Sequence, residues 1–267
     1  MGHNHPISMA AGIMPEASPL ELVEAAARAG FDFGGMWMAP DSWTSATTRA
    51  VAKRLRDTGL RLLDIEVVII QPGPLDPDDL RIIEVGAELG AGNVLCVSVD
   101  PDAGAGQDKL ARLIEHGAGC GIRVNLEFAL FTEVKTLTQA QAFLEGISRS
   151  NAAVLIDSLH WFRSGGTLDD IAAVPSELLS YVQLCDALAA GPEIADDRSL
   201  LDEATDDRLA LGRGDLPLRD IIQRLPDGLP LAIEERSKVL RETYPDLNQR
   251  AKAVARATRA FLAGTIP

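Results

Sequence analysis

Short apolar runs alternate with longer amphipathic stretches eight times along the chain. The apolar runs are Ile7–Met14, Phe31–Met38, Arg61–Ile70, Asn93–Val99, Arg123–Ala129, Ala153–Asp157, Tyr181–Asp186 and Leu231–Glu235. Several contain unbroken apolar segments, such as Val67-Val68-Ile69-Ile70 and Val94-Leu95-Cys96-Val97. Such segments fit parallel strands covered on both faces by helices.

The stretches between them carry helix signals. Ser18-Pro19-Leu20-Glu21 reads as a capping box with proline at the first helical position. The helix that follows, through Ala29, stops at Gly30. Ala46–Thr58 and Pro77–Leu89 stop at Gly59 and Gly90 in the same way. Gln107–Gly117, Leu137–Ile147, Leu168–Val174, Leu216–Leu225 and Asp246–Ala263 continue the series. Eight strand–helix repeats in 267 residues predict an α/β protein, a single (β/α)8 TIM barrel spanning residues 7 to 267. Residues 1–6, with His3 and His5, read as a flexible polar leader.

An open nucleotide-binding sheet is excluded. No glycine-rich phosphate turn follows the first strand, and Gly104-Ala105-Gly106, after the fourth, reads as a plain loop. One connection is unusually long. Residues 187 to 214, after strand seven, are rich in Asp, Gly, Pro and Arg and read as a functional loop.

Composition narrows the function. A net charge of −14 argues against nucleic acid and against an anionic membrane surface. No stretch is long and apolar enough for a membrane span, and no secretory leader is apparent. Three cysteines without finger spacing fit a reducing, cytoplasmic setting. The expected partner is a small-molecule substrate, with self-association into a homo-oligomer left open.

Active sites of such barrels lie at the C-terminal strand ends. Four consecutive strands place polar residues there: Glu127 after Val124-Asn125-Leu126, Asp157 after Val154-Leu155-Ile156, Gln183 within Val182-Gln183-Leu184, and Glu234 after Leu231-Ala232-Ile233. A carboxylate among aliphatic residues is costly to bury unpaired. Three at matched height call for a shared cation. Glu127, Asp157, Gln183 and Glu234 form an oxygen-rich set suited to one divalent ion, Mn2+, Mg2+ or Co2+. His160, three residues after Asp157, can move a proton near neutral pH at its ordinary pKa. Arg236 shares a strand face with Glu234 and, with Arg208, could bind an anionic substrate group. Glu66 and Trp37, on strands three and two, could reach or wall the pocket.

The segments Asn125-Leu126-Glu127-Phe128, Leu155-Ile156-Asp157-Ser158-Leu159-His160, Val182-Gln183-Leu184-Cys185-Asp186 and Ile233-Glu234 resemble the xylose-isomerase-like barrel superfamily of sugar isomerases and epimerases. The resemblance implies that Glu127, Asp157 and Glu234 hold the metal, that the two glutamates move protons on either side of the substrate carbon, and that His160 touches substrate oxygens. Gln183 stands where many members carry His, an exchange similar to that in metal-dependent 3-dehydroshikimate dehydratases. The first expectation is therefore an isomerase or epimerase acting through an enolate-type intermediate on a polyhydroxylated carbonyl compound. The second is a lyase of the dehydratase type. A non-catalytic binding barrel is a remoter reading. So is an apurinic endonuclease of the same barrel type, for which four histidines and the acidic charge are a poor match.

Overall fold

The computed structural model describes residues 5–147, 151–192 and 196–265. Eight parallel strands close into a barrel in sequence order. They are β1 Ile7–Met9, β2 Phe33–Trp37, β3 Arg61–Ile70, β4 Asn93–Ser98, β5 Arg123–Glu127, β6 Ala152–Asp157, β7 Val182–Leu184 and β8 Leu231–Ile233. Closure is made by β1 against β8, with Ile7 opposite Leu231 and Met9 opposite Ile233. This is the single (β/α)8 barrel that the eightfold alternation predicts.

The outer helices begin and end where side chains can satisfy their free backbone groups. α1 (Pro19–Ala29) has the Ser18–Glu21 capping box and closes at Gly30 in the left-handed region, φ 77°. α2 (Ser45–Thr58) and α3 (Pro77–Leu89) are capped by Thr44 and Asp76. α4 (Ala103–Cys120) is capped by Asp102. The glycine-rich segment expected as a loop is thus the first turn of α4. The Asp102 carboxylate holds Ala105 N–H, and Gly106 packs so closely on Phe143 that a Cβ would lie 3.0 Å from its ring.

α5 is Leu137–Phe143, α6 Ser158–Arg163, α7 Leu168–Ala172, α8 Asp197–Asp206, α9 Leu218–Arg224, α10 Lys238–Thr243 and α11 Leu247–Leu262. α11 turns Ala251, Val254, Ala255 and Thr258 inward at helical spacing and packs on α1. The larger apolar cluster lies between sheet and helices. A smaller one, Leu63, Leu95, Leu155, Tyr181 and Ala232, fills the barrel interior. Leu155, Tyr181 and Ala232 each precede a candidate ligand by two residues, so the same pleat that fills the core aims Asp157, Gln183 and Glu234 inward.

Three expectations about segments change. The first strand ends at Met9 rather than Met14. Its neighbour β8 ends at Ile233, so no ladder partner remains. The chain then closes on itself in a 3-10 turn, Ala11–Ile13, with Met14 N–H bonded to Ala11 O. Of the six-residue leader, residues 1–4, including His3, lie outside the described residues. His5 is not part of a loose tip: it is buried, its Nδ1 2.8 Å from Leu229 O, and Pro6 O accepts Leu231 N–H. The long connection after β7 is not structureless. It contains α8 and is tied back by bridges of Asp186 to Leu209 and of Asp207 to Ser237.

Among the described residues no helix is long and apolar enough to cross a membrane.

One buried ion pair secures the loop after β3. Lys109 on α4 bonds the Asp100 carboxylate and the carbonyls of Gln71 and Gly73, with both charged side chains under 10% exposed. Removing one partner leaves the other charge buried and unpaired. Lys109→Met should therefore lower the unfolding free energy measurably. Urea titration monitored by far-UV circular dichroism measures it, and a loss near zero would mean that Asp100 finds water instead.

Candidate metal and proton-transfer site

Each sequence-predicted ligand sits at the barrel's C-terminal mouth. Glu127 ends β5, Asp157 ends β6, Gln183 lies in β7 and Glu234 follows β8. Asp157 and Gln183 are direct register partners. All four side chains are buried.

Candidate donor atoms of Glu127, Asp157 and His160 lie within 4.8 Å of one another. Glu234 is turned toward Arg208, 3.2 Å from its Nη1. The amide of Gln183 is fully buried with neither Oε1 nor Nε2 hydrogen-bonded. A buried amide without partners is costly unless something else engages it. Converging carboxylates, an imidazole and an orphaned amide oxygen fit a hard divalent cation.

Arg208 is the main departure from a rim arginine. It is 3% exposed. Its Nη1 is 2.5 Å from Asp157 Oδ2 and 3.4 Å from Cys185 Sγ, and its Nε donates to Ala204 O at 2.7 Å. Its Nη2 lies 3.5 Å from His160 Nε2. The long loop thus delivers a cation into the carboxylate cluster itself.

His160 lies in α6, a short helix not anticipated from the sequence. Asp157 is its N-cap: Oδ1 accepts the N–H groups of Leu159 and His160 at 2.7 and 3.1 Å. Phe131 meets the His160 ring edge-on, with centroids 5.3 Å apart.

The charges respond to this crowding. Burial alone would raise Asp157. The Arg208 cation, His160 and the cap bonds override it and hold the carboxyl at about 2. Burial, then the repulsion of Asp157 and Glu234, pushes Glu127 well above the usual carboxylate range. Glu234 is pushed to about 8, chiefly by burial, with Arg208 opposing and Asp157 and Glu66 adding. Burial works against the charge on Arg208, and Asp157 and Glu234 more than restore it. Burial also lowers His160 to about 4 against the pull of Asp157. The ring is therefore neutral near pH 7, which departs from the expectation based on an unperturbed imidazole.

Glu66 is buried on β3, two residues past Asp64, whose Oδ2 lies 3.4 Å from Tyr181 Oη. Burial raises both, and Asp64 reaches about 7. Trp37 is 40% exposed at the end of β2, with the Arg236 guanidinium 5.5 Å from its ring centre. Gly12 makes room for that arginine: a Cβ there would lie 2.6 Å from Arg236 Cδ. The Nε of Arg236 is buried without a partner. Tyr181, Cys185 and Phe131 were not selected from the sequence. The two-residue spacing of Tyr181 from Gln183 was the available signal for the first. The other two depend on where loops fold back.

A closed parallel barrel with donor side chains converging at its C-terminal mouth has the build of TIM-barrel enzymes. Residues 23–261 match the xylose isomerase-like TIM barrel family, and the chain belongs to that family. It is 29% identical over 186 residues to a 3-dehydroshikimate dehydratase of Pseudomonas aeruginosa, in an alignment covering 62% of this chain and 28% of the relative. The chain thus spans well under a third of that curated relative's length. Among solved structures, it superposes on an IOLI protein with a bound zinc atom at a TM-score of 0.80, with 15% identity over 98% of this chain and 99% of the other. A xylose isomerase-like TIM barrel/4-hydroxyphenylpyruvate dioxygenase fusion protein gives 0.78, with 21% identity over 98% of this chain and 45% of the other.

The raised carboxyls have a consequence for stability. Above the ordinary carboxyl range, folded Asp64 up to about pH 7 and Glu234 up to about pH 8 retain protons that the unfolded chain has released, and Glu127 and Glu66 are shifted in the same direction. The native state then binds more protons, so stability falls as pH rises through that window. Chelator-treated protein should lose melting temperature from about pH 5 to pH 8, and Mn2+ should restore it at the upper end. Scanning calorimetry measures this. A flat profile without a Mn2+ response would separate the cluster from any cation.

Proposed function

We propose that this chain is a divalent-metal-dependent lyase that abstracts a proton beside a carbonyl and expels a β-hydroxyl, acting on a carboxylate-bearing hydroxyketone of the 3-dehydroshikimate kind. The observation that carries this reading is Arg236, a cation at the mouth whose buried Nε has no partner. A neutral sugar offers that group only weak acceptors. A substrate carboxylate offers a charged one. Gln183 and the dehydratase relative favour the same branch.

Glu127 and Asp157, with His160 close to both, would form the centre of the ion's ligand set, and Gln183 and Glu234 would complete it. When bound, the ion supplies polarisation of the substrate carbonyl. Glu127 and Glu234 provide the two proton-transfer groups. The one ionised in the complex removes the α-proton, and the other, still protonated, delivers its proton to the departing hydroxyl. The neutral His160 orients a substrate oxygen by hydrogen bonding, and Arg208 counters the charge that develops during proton abstraction.

The isomerase or epimerase expectation uses the same base, acid and ion, and differs in returning the proton to carbon. Incubation with 3-dehydroshikimate and Mn2+, Mg2+ or Co2+ should produce dihydroxybenzoate, seen as a rise in aromatic absorbance. Absence of product with every ion would overturn the lyase reading. Proton exchange from a ketose in D2O would favour the isomerase. For the lyase, Arg236→Gln should raise KM by roughly tenfold or more with a smaller change in kcat, the loss of one charge-assisted contact.

A further inference from the structure

We infer that Arg163 and Glu203 are positioning residues for this site, and that their buried ion pair sets where Arg208 stands among the carboxylates. The inference rests on the reading above that Arg208 and the metal ligands work together.

Every nitrogen of the Arg163 guanidinium is engaged. Its Nε donates to Glu203 Oε2 at 2.8 Å and its Nη2 to Glu203 Oε1 at 2.5 Å. Nη2 also donates to Leu188 O at 2.8 Å, and Nη1 to Ala189 O at 3.3 Å. The two side chains are 8% and 12% exposed. Gly191 lies against the guanidinium so closely that any Cβ would overlap it. One side chain on α6 therefore grips both the start of the long loop and the helix within it.

The grip is part of a closed circuit. Asp157 caps α6, and His160 and Arg163 follow on that helix one turn apart. Glu203 adjoins Ala204, whose carbonyl holds Arg208 Nε. Arg208 returns to Asp157. α8 buries only Leu200 and Ala204 along its ten residues. Its C-terminal end is also held by the Asp206–Arg241 ion pair and the Asp207–Ser237 bridge, so the Arg163–Glu203 pair is what holds the rest of the helix. A bidentate, desolvated pair is far more directional than apolar contact of that extent. The circuit makes α8 the carrier of Arg208, and the Arg163–Glu203 pair its fastening to α6.

The test is a double-mutant cycle of Glu203→Gln and Arg208→Met, read by calorimetric Mn2+ titration and by limited proteolysis of residues 187–214. Removing Arg208 takes a positive charge from Asp157 and Glu234, so Mn2+ binding should tighten. Glu203→Gln should tighten it in the same direction but less, by roughly threefold, and should add nothing in the Arg208→Met background. Cleavage within the loop should quicken while the far-UV spectrum stays native. Arg163→Lys, which keeps the charge and loses the fork, should give a milder form of both effects and serves if Glu203→Gln does not fold. With dehydroshikimate, Glu203→Gln should lower kcat more than it raises KM. Equal effects of Glu203→Gln with and without Arg208, or unchanged cleavage, would overturn the inference. Failure of the wild-type protein to bind Mn2+ would count against the metal reading instead, and the proteolysis comparison would still decide whether the pair fastens the loop.

Discussion

Five ionisable side chains meet at the mouth of this barrel, and the low dielectric around them does not let all the acids ionise together. Arg208 is the interaction on which the resulting arrangement depends. Its guanidinium stands between Asp157 and Glu234, so Asp157 stays charged although fully buried. Glu127 lacks a comparable contact and is pushed toward its neutral form. One arginine thus divides a set of similar carboxyls into a buried anion, Asp157, and two groups pushed toward their neutral forms. The same crowding makes the site attractive to a divalent cation, which would relieve repulsion among ligands that the barrel has already brought together.

The architecture delivers these groups by two routes of different stiffness. Strands β5 to β8 carry the acids and Gln183, locked by ladder bonds and by the apolar layer beneath them. The cations arrive differently. Arg236 lies just past β8, packed over Trp37 in the space left by Gly12. Arg208 comes from a connection with its own helix, secured by few buried residues and by polar contacts to α6. For the proposed lyase, strand-borne acids with a loop-borne cation would hold the acids fixed while the cation answers the charge that develops.

Much of this was legible in the chain. The eightfold alternation and the glycine stops marked strands and helices, because a parallel sheet buried on both faces leaves unbroken apolar runs. Polar residues interrupting those runs at their ends marked Glu127, Asp157, Gln183 and Glu234. The apolar pattern overextends the first strand, because such a pattern does not reveal where a neighbouring strand stops. The glycine-rich start of α4 was read as a loop because glycine is a poor helix former, and here the Asp102 cap and close packing on Phe143 override that preference.

What the sequence by itself determined is the barrel and the height at which its acids stand, since both follow from periodicity within single segments. What only the tertiary structure decided is the charge state of those acids and the company they keep. The role of Arg208 depends on a loop folding back 51 residues to reach Asp157, and the neutrality of His160 depends on burial by elements far away in the chain. Neither is encoded in local spacing, because electrostatic energies are set by distance and solvent exclusion in three dimensions.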